Sequence, residues 1–147
     1  MRAWPSDGRR PNVKLVVDAN VLYSAFLRDG LTRRILFNRD LELYAPSFLL
    51  DEFFKYFAEL CQRSRESPDE LKQMVSRFLR RIKFLELEEL EPYRTPSEHL
   101  IADEKDQVYI ACALAVGADI WTRDRHYRQP RIRVWSTQAL AEELALI

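Results

Sequence analysis

A doubly wound, mainly parallel α/β domain is the architecture this sequence predicts, from three observations. Short continuous apolar runs of strand length, rich in β-branched residues, alternate along the chain with longer segments of helical spacing. No internal repeat and no linker rich in Pro, Gly or Ser divides that alternation. At 147 residues and 47% hydrophobic, the chain is long enough to enclose one substantial core and too short to suggest two.

Residues 1–12 mix Pro, Gly, Asp and Arg without periodicity, so a disordered or extended leader is expected there, followed by a single domain over 13–147. Leu15-Val16-Val17 fits a strand buried on both faces, and Asp18 ends it. Residues 21–37 have helical spacing broken at Asp29-Gly30, which predicts one helix, a break and a second short helix from Leu31. A strand follows over 41–45. Pro46-Ser47 stops it and caps a helix whose apolar face is Leu49, Leu50, Phe53, Phe57 and Leu60. Ser67-Pro68-Asp69-Glu70 has the form of a capping box with Pro at the first helical position. Leu71, Met74, Val75, Phe78, Leu79 and Ile82 then recur at intervals of three and four, with Arg77, Arg80 and Arg81 on the wet face. Phe84-Leu85-Glu86-Leu87 is read as a third strand. Residues 108–116 are nearly all small or apolar, describing a helix packed deep against the sheet and ended by Gly117. Two more short strands, 120–122 and 132–135, precede a last helix capped by Ser136 and running to Ile147.

Charge and composition exclude little. Lys plus Arg equals Asp plus Glu at 23 each, so net charge makes no case for a polyanionic partner. Cys61 and Cys112 sit in apolar helical stretches, without metal-ligand spacing, and read as small buried thiols. No apolar run approaches the roughly 18 residues of a membrane span, and Met1 to Pro11 contains no apolar signal core. A reducing, cytoplasmic setting is the expectation.

The chemistry lies in acids at the ends of elements. Asp18 and Asp124 follow strands, at the edge where open α/β sheets bind ligands, and Glu52 and Asp106 lie near the starts of helices that reach the same edge. Each alone has an ordinary role, since acids cap helices and complement their dipoles. Asp51, Asp103 and Glu104 are open to that reading too. Together, four carboxylates in one pocket repel unless some keep a proton or a divalent cation neutralises them, and oxygen ligands suit Mg²⁺ or Mn²⁺.

Four segments carry a resemblance. Val17-Asp18-Ala19-Asn20-Val21-Leu22, then Ala45-Pro46-Ser47-Phe48-Leu49-Leu50-Asp51-Glu52, then Asp103-Glu104-Lys105-Asp106 leading into Ile110-Ala111-Cys112-Ala113, and Ile120-Trp121-Thr122-Arg123-Asp124 resemble the PIN-domain ribonucleases, in the family's order. The resemblance implies a three-layer α/β/α domain with a mainly parallel central sheet, in which acids hold Mg²⁺ or Mn²⁺ and RNA is cut to 5′-phosphate and 3′-hydroxyl ends. It makes Asp18, Glu52, Asp106 and Asp124 catalytic, with Asp18, Asp106 and Asp124 as metal ligands and Asn20, Asp103 and Thr122 in support. Between Asp103 and Asp106, Asp106 is favoured as the direct ligand. Asp51 and Glu52 point about 100° apart on a helix, so one of the pair faces the pocket, and Glu52 matches the motif. Such an ion would lower the pKa of a bound water and shield charge on phosphate oxygens.

An acidic pocket repels phosphate, so cations must line its rim. Arg123, Arg125, Arg128, Arg131 and Arg133 surround Asp124, and Arg123, Arg125 and Arg128 are the expected RNA contacts, with Tyr127 able to stack on a base. The alternative is a solvated arginine-rich loop, as for Arg33-Arg34. His99 and His126 read as surface residues. Chains of this length resembling VapC toxins are silenced by a separately encoded antitoxin and form homodimers, and Phe53, Phe54, Tyr56 and Phe57, which cover more than one helix face, are a surface for either partner or part of the core. Two other functions compete: a non-catalytic PIN-like scaffold binding RNA or protein, and an Asp-based phosphoryl-transfer domain. The second is disfavoured by Asn20, where haloacid dehalogenase-type enzymes place a second Asp.

Overall fold

In a computed structural model, residues 13–27 and 30–146 are described. The leader expected over 1–12 lies outside them, as do Asp29 in the expected break and Ile147. Strand β1 (Val13–Val17) is followed by helices α1 (Ala19–Phe26) and α2 (Gly30–Leu36) and by β2 (Leu41–Pro46). Next come α3 (Phe48–Lys55), α4 (Phe57–Arg63), α5 (Pro68–Arg80) and β3 (Ile82–Leu85). Helix α6 (Leu87–Leu90), a 3₁₀ turn over Glu91–Tyr93, α7 (Arg94–Leu100) and α8 (Glu104–Val116) lead to β4 (Asp119–Trp121). A second 3₁₀ turn (Arg125–Tyr127), β5 (Val134–Trp135) and α9 (Thr137–Glu143) complete the order.

The five strands are all parallel in the order β3-β2-β1-β4-β5. Helices α1, α2, α3 and α9 contact one another in one group, and α6, α7 and α8 in another, so the sheet is flanked as the three-layer expectation required. β1 lies at the centre, and Leu15, Val16 and Val17 have no exposed surface. The strand order reverses there: the chain moves out from β1 to β3 and returns to pair β4 on the other side of β1. A crevice forms at such a reversal, beyond the carboxyl ends of the strands. The Asp18 backbone N–H donates to the Trp121 carbonyl (3.1 Å), tying the ends of β1 and β4 together at that crevice.

Helix α8 can approach the sheet because Ala111, Cys112 and Ala113 are small, and it touches β1, β2 and β4. Gly117 stops it at φ 68°, the left-handed conformation that glycine adopts without Cβ strain. The Ser67 hydroxyl accepts from the Glu70 N–H (3.2 Å), as the cap in the sequence requires.

Several elements differ from expectation. The third strand begins at Ile82, two residues before the expected start, and Leu87 opens a helix. The Glu86 N–H donates to the Glu89 carboxylate (2.8 Å), which favours a helical turn over continued strand. The predicted helix 49–60 is divided at Tyr56 into α3 and α4, and the short helices over 87–100 have no counterpart in the periodicity. Arg81 is not on a wet face: its guanidinium donates to the carbonyls of Leu36 (2.7 Å), Asn38 (2.8 Å) and Leu41 (3.2 Å), linking the end of α5 to the α2–β2 connection. Arg33 likewise donates to the Ala25 and Phe26 carbonyls at the end of α1. Phe53 is fully buried, whereas Phe54 and Tyr56 are 49% and 46% exposed.

Candidate active site

The acids converge. Asp18, Glu52, Asp103, Asp106 and Asp124 line one cavity of about 300 Å³ with Asn20, Lys105, Tyr23, Tyr109 and Tyr127. The segment after β1 supplies Asp18, α3 supplies Glu52, the first turn of α8 supplies Asp106, and the loop after β4 supplies Asp124.

Asp18 is buried and held by a polar network joining two strand ends. Its Oδ2 accepts from the Thr122 hydroxyl (2.7 Å) and the Asn20 amide (3.2 Å). Thr122 Oγ1 in turn accepts from the same Asn20 amide (3.2 Å) and from the Asp124 N–H (3.0 Å). The hydroxyl therefore uses its one donor and both acceptor positions within the site. Asn20 does not cap a helix. It spans Asp18, Thr122 and, through Oδ1, the Arg123 N–H (3.1 Å).

Two tyrosines secure the other acids. The Tyr109 hydroxyl donates to Glu52 Oε1 (2.6 Å), and the Tyr127 hydroxyl bonds Asp106. Both are about 1% exposed and pack edge to face, ring centres 6.4 Å apart. Tyr127 is thus walled in, and the expectation that it stacks on a base is wrong. A third phenol, Tyr23, donates to the Glu52 carbonyl (2.8 Å) and stacks on Phe53. No sequence pattern marked Tyr23 or Tyr109 as site residues, and Tyr127 was marked for a different role; the available signal was that Tyr109 lies three positions after Asp106, on the same helical face.

Asp103 serves as the N-cap of α8, accepting from the Lys105 (2.9 Å) and Asp106 (3.4 Å) N–H groups while still lining the cavity. Asp51 is exposed and does not line the cavity. Asp124 accepts from the His126 N–H (2.8 Å), and its Oδ1 lies 2.9 Å from His126 Nδ1, on a side chain that is otherwise exposed. Of the expected RNA contacts, Arg123 and Arg128 are exposed, and the Arg125 side chain lies outside the described residues. Arg133 packs over the Trp135 ring, 3.7 Å from its centre. Cys61 and Cys112 are free, and burial pushes the Cys112 thiol up to about 12.

Electrostatics reflect the crowding. Burial raises the Asp18 carboxyl from 3.8 to about 6; the Thr122 hydrogen bond opposes this, and the charges of Glu52 and Asp106 add to it. Asp106 is raised by burial, lowered by Tyr127, and raised by Asp103, Asp124 and Glu52. Burial, followed by Asp18, pushes both Tyr109 and Tyr127 upward, so the phenols keep their protons and act as donors. Among the described residues no three or more Asp, Glu, His or Cys side chains stand together as a group that could hold a metal ion as placed, so the acids line the pocket without being gathered into a ligand set. Its donors fit a hard divalent cation: all are oxygens, they are mutually repelling, and the carboxyls shifted upward are those a cation would return to the ionised form.

The PIN domain model matches residues 16–145, and the chain belongs to the PIN domain family, whose members are generally nucleases. Three solved structures share its fold. The crystal structure of PAE2754 from Pyrobaculum aerophilum is 17% identical with a TM-score of 0.62, each chain covered in full. VapBC2 from Rickettsia felis, bound to a DNA fragment from its promoter, is 16% identical with a TM-score of 0.61, covering 84% of this chain and 98% of that one. DNA-bound VapBC from Salmonella typhimurium is 20% identical with a TM-score of 0.59, covering 85% and 98%. A search of curated protein sequences found no match. Among the described residues, no helix is long and apolar enough to cross a membrane.

Proposed function

We propose that this chain is a Mg²⁺- or Mn²⁺-dependent endoribonuclease acting as the toxin of a toxin-antitoxin pair. The observation that carries the reading is the convergence of Asp18, Glu52, Asp106 and Asp124 on one cavity at the reversal of strand order. The toxin role is supported by membership of the PIN domain family and by the likeness to two VapBC assemblies. An antitoxin encoded separately, a homodimer and a cytoplasmic setting belong to the same proposal.

Asp18, Asp106 and Asp124 would hold the cation. When bound, it neutralises the acids, makes water a better nucleophile at neutral pH and offsets charge on the phosphate. The protein's own contribution is positioning. Thr122 and Asn20 fix the carboxylate plane of Asp18, and Tyr127 fixes that of Asp106. Tyr109 occupies Oε1 of Glu52, leaving Oε2 to take a proton from the attacking water. Water oxygen bonds to phosphorus, the bond to the 3′ oxygen breaks, and that oxygen takes a proton from solvent, leaving 5′-phosphate and 3′-hydroxyl ends. Arg123, Arg125 and Arg128 offset the repulsion between an acidic pocket and RNA.

The test is cleavage of a pool of end-labelled RNAs with Mg²⁺, Mn²⁺ or EDTA, beside an Asp18→Asn, Asp106→Asn double variant. Cation-dependent cutting lost in the folded double variant supports the proposal. Cutting that survives in EDTA or in the double variant refutes it.

A further inference from the structure

A second cavity, of about 500 Å³, adjoins the acidic one and shares Asn20 and Tyr23 with it; Ser24, Leu27 and Arg123 complete its lining. Its volume lies within the usual range for small-ligand sites. Its character differs from its neighbour's: among the described residues no carboxylate lines it, and the ionised group lining it is the guanidinium of Arg123.

That cation is aimed. Arg123 Nη1 donates to the hydroxyl of buried Ser24, and its backbone N–H donates to Asn20 Oδ1 (3.1 Å). Asn20 and Ser24 are four residues apart on α1 and so share a face of the helix. Arg123 forms no ion pair with any carboxylate among the described residues, although five acids line the next cavity. A guanidinium has five N–H donors in a planar fork, and the bond to Ser24 commits one of them. The amide of Asn20 that anchors the Arg123 backbone also donates to Asp18 (3.2 Å), so a single side chain sets the spacing between cation and catalytic acid.

We propose that this second cavity is a phosphate subsite for single-stranded RNA, in which Arg123 grips the phosphodiester next to the one being cut and Ser24 is the positioning residue that aims it. The strand crosses Asn20 from the acidic cavity to the basic one, so the reacting phosphate is placed by its neighbour. The inference rests on the ribonuclease reading above, and it predicts that Arg123 contributes to binding, with the loss falling on KM rather than kcat.

The experiment uses the full chain carrying Asp18→Asn, so that RNA stays intact, and measures fluorescence anisotropy of a labelled single-stranded RNA 12-mer across a salt series. Arg123→Ala is expected to weaken binding about tenfold and to reduce the slope of log affinity against log salt by about 0.7, the value of one phosphate contact on a single strand. Arg123→Lys should retain the slope while recovering part of the affinity, and Ser24→Ala should weaken binding about threefold with the slope unchanged. Unchanged affinity and slope in Arg123→Ala overturn the subsite. If that variant does not fold, Arg123→Gln, which keeps a donor for Ser24, takes its place with the same two outcomes. In otherwise unmodified protein, the same substitution should raise KM about tenfold. Absence of any cutting by the unmodified protein would count against the ribonuclease reading itself, whereas normal cutting with an unchanged KM in the Arg123 variant would remove the subsite alone.

Discussion

Replacing Asp18 by Asn should make the cation-free protein more stable at neutral pH. The folded carboxyl is raised from 3.8 to about 6, mainly by burial. An acid that holds its proton more tightly when folded than unfolded carries no penalty below pH 3.8; the penalty grows as pH rises toward 6 and is complete above it. The gap is worth about 3 kcal/mol, at about 1.4 kcal/mol for each tenfold change in proton affinity. Asp18 is only 8% exposed, so solvent screens little of this. The amide still offers an oxygen to Thr122 and Asn20, but its NH₂ replaces an acceptor, costing about 1 kcal/mol. A net gain of about 2 kcal/mol at pH 7.5 corresponds to a Tm roughly 6 °C higher for a domain of this size. Thermal unfolding in EDTA between pH 4 and 8 measures it: Asp18→Asn should exceed the unmodified protein above pH 6, and the advantage should shrink as pH falls and give way to a small deficit near pH 4. A variant less stable at pH 7.5, or a difference independent of pH, would refute the account of Asp18 as a strained carboxylate.

Other expectations follow from the same geometry. Millimolar Mn²⁺ should raise the Tm of the unmodified protein and leave the Asp18→Asn, Asp106→Asn double variant unmoved; at a hundred times the dissociation constant the gain is about 2.7 kcal/mol. Tyr109→Phe deletes one hydroxyl and should slow cleavage roughly 10- to 100-fold while costing about 1 kcal/mol of stability, measured by RNA turnover and urea unfolding. Arg81→Ala removes three hydrogen bonds to carbonyls and should cost about 2 kcal/mol in urea unfolding without changing cation affinity. Gly117→Ala forces a side chain to φ 68° and should cost about 1 kcal/mol; a Cβ there meets nothing within 4 Å, so the loss is conformational.

What could be read from the chain alone was what neighbours in sequence determine. Leu15-Val16-Val17 announces a strand buried on both faces, and the small residues of α8 with Gly117 behind them announce a helix against the sheet and its end. The four acids were legible because each sits beside a boundary that its own segment defines. The short helices over 87–100 span too few residues for a 3.6-residue period to show. Arg81 and Tyr127 were misjudged for a shared reason. Composition around them is that of a surface, yet each is held by partners distant in sequence: carbonyls forty or more positions earlier for Arg81, and Tyr109 on another helix for Tyr127. Charge and local polarity describe where a side chain can be solvated, and they do not reveal which distant groups will displace that water.

The bond between Thr122 and Asp18 crosses 104 positions of sequence. A growing chain therefore gains 104 further residues after Asp18 before its partner exists, and Asp124 is added later still. Until β4 docks beside β1, the acids belong to separate pieces of polypeptide. A chain that stops before β4 and the segment after it lacks Thr122 and Asp124, so the pocket cannot assemble however well β1, α3 and α8 form.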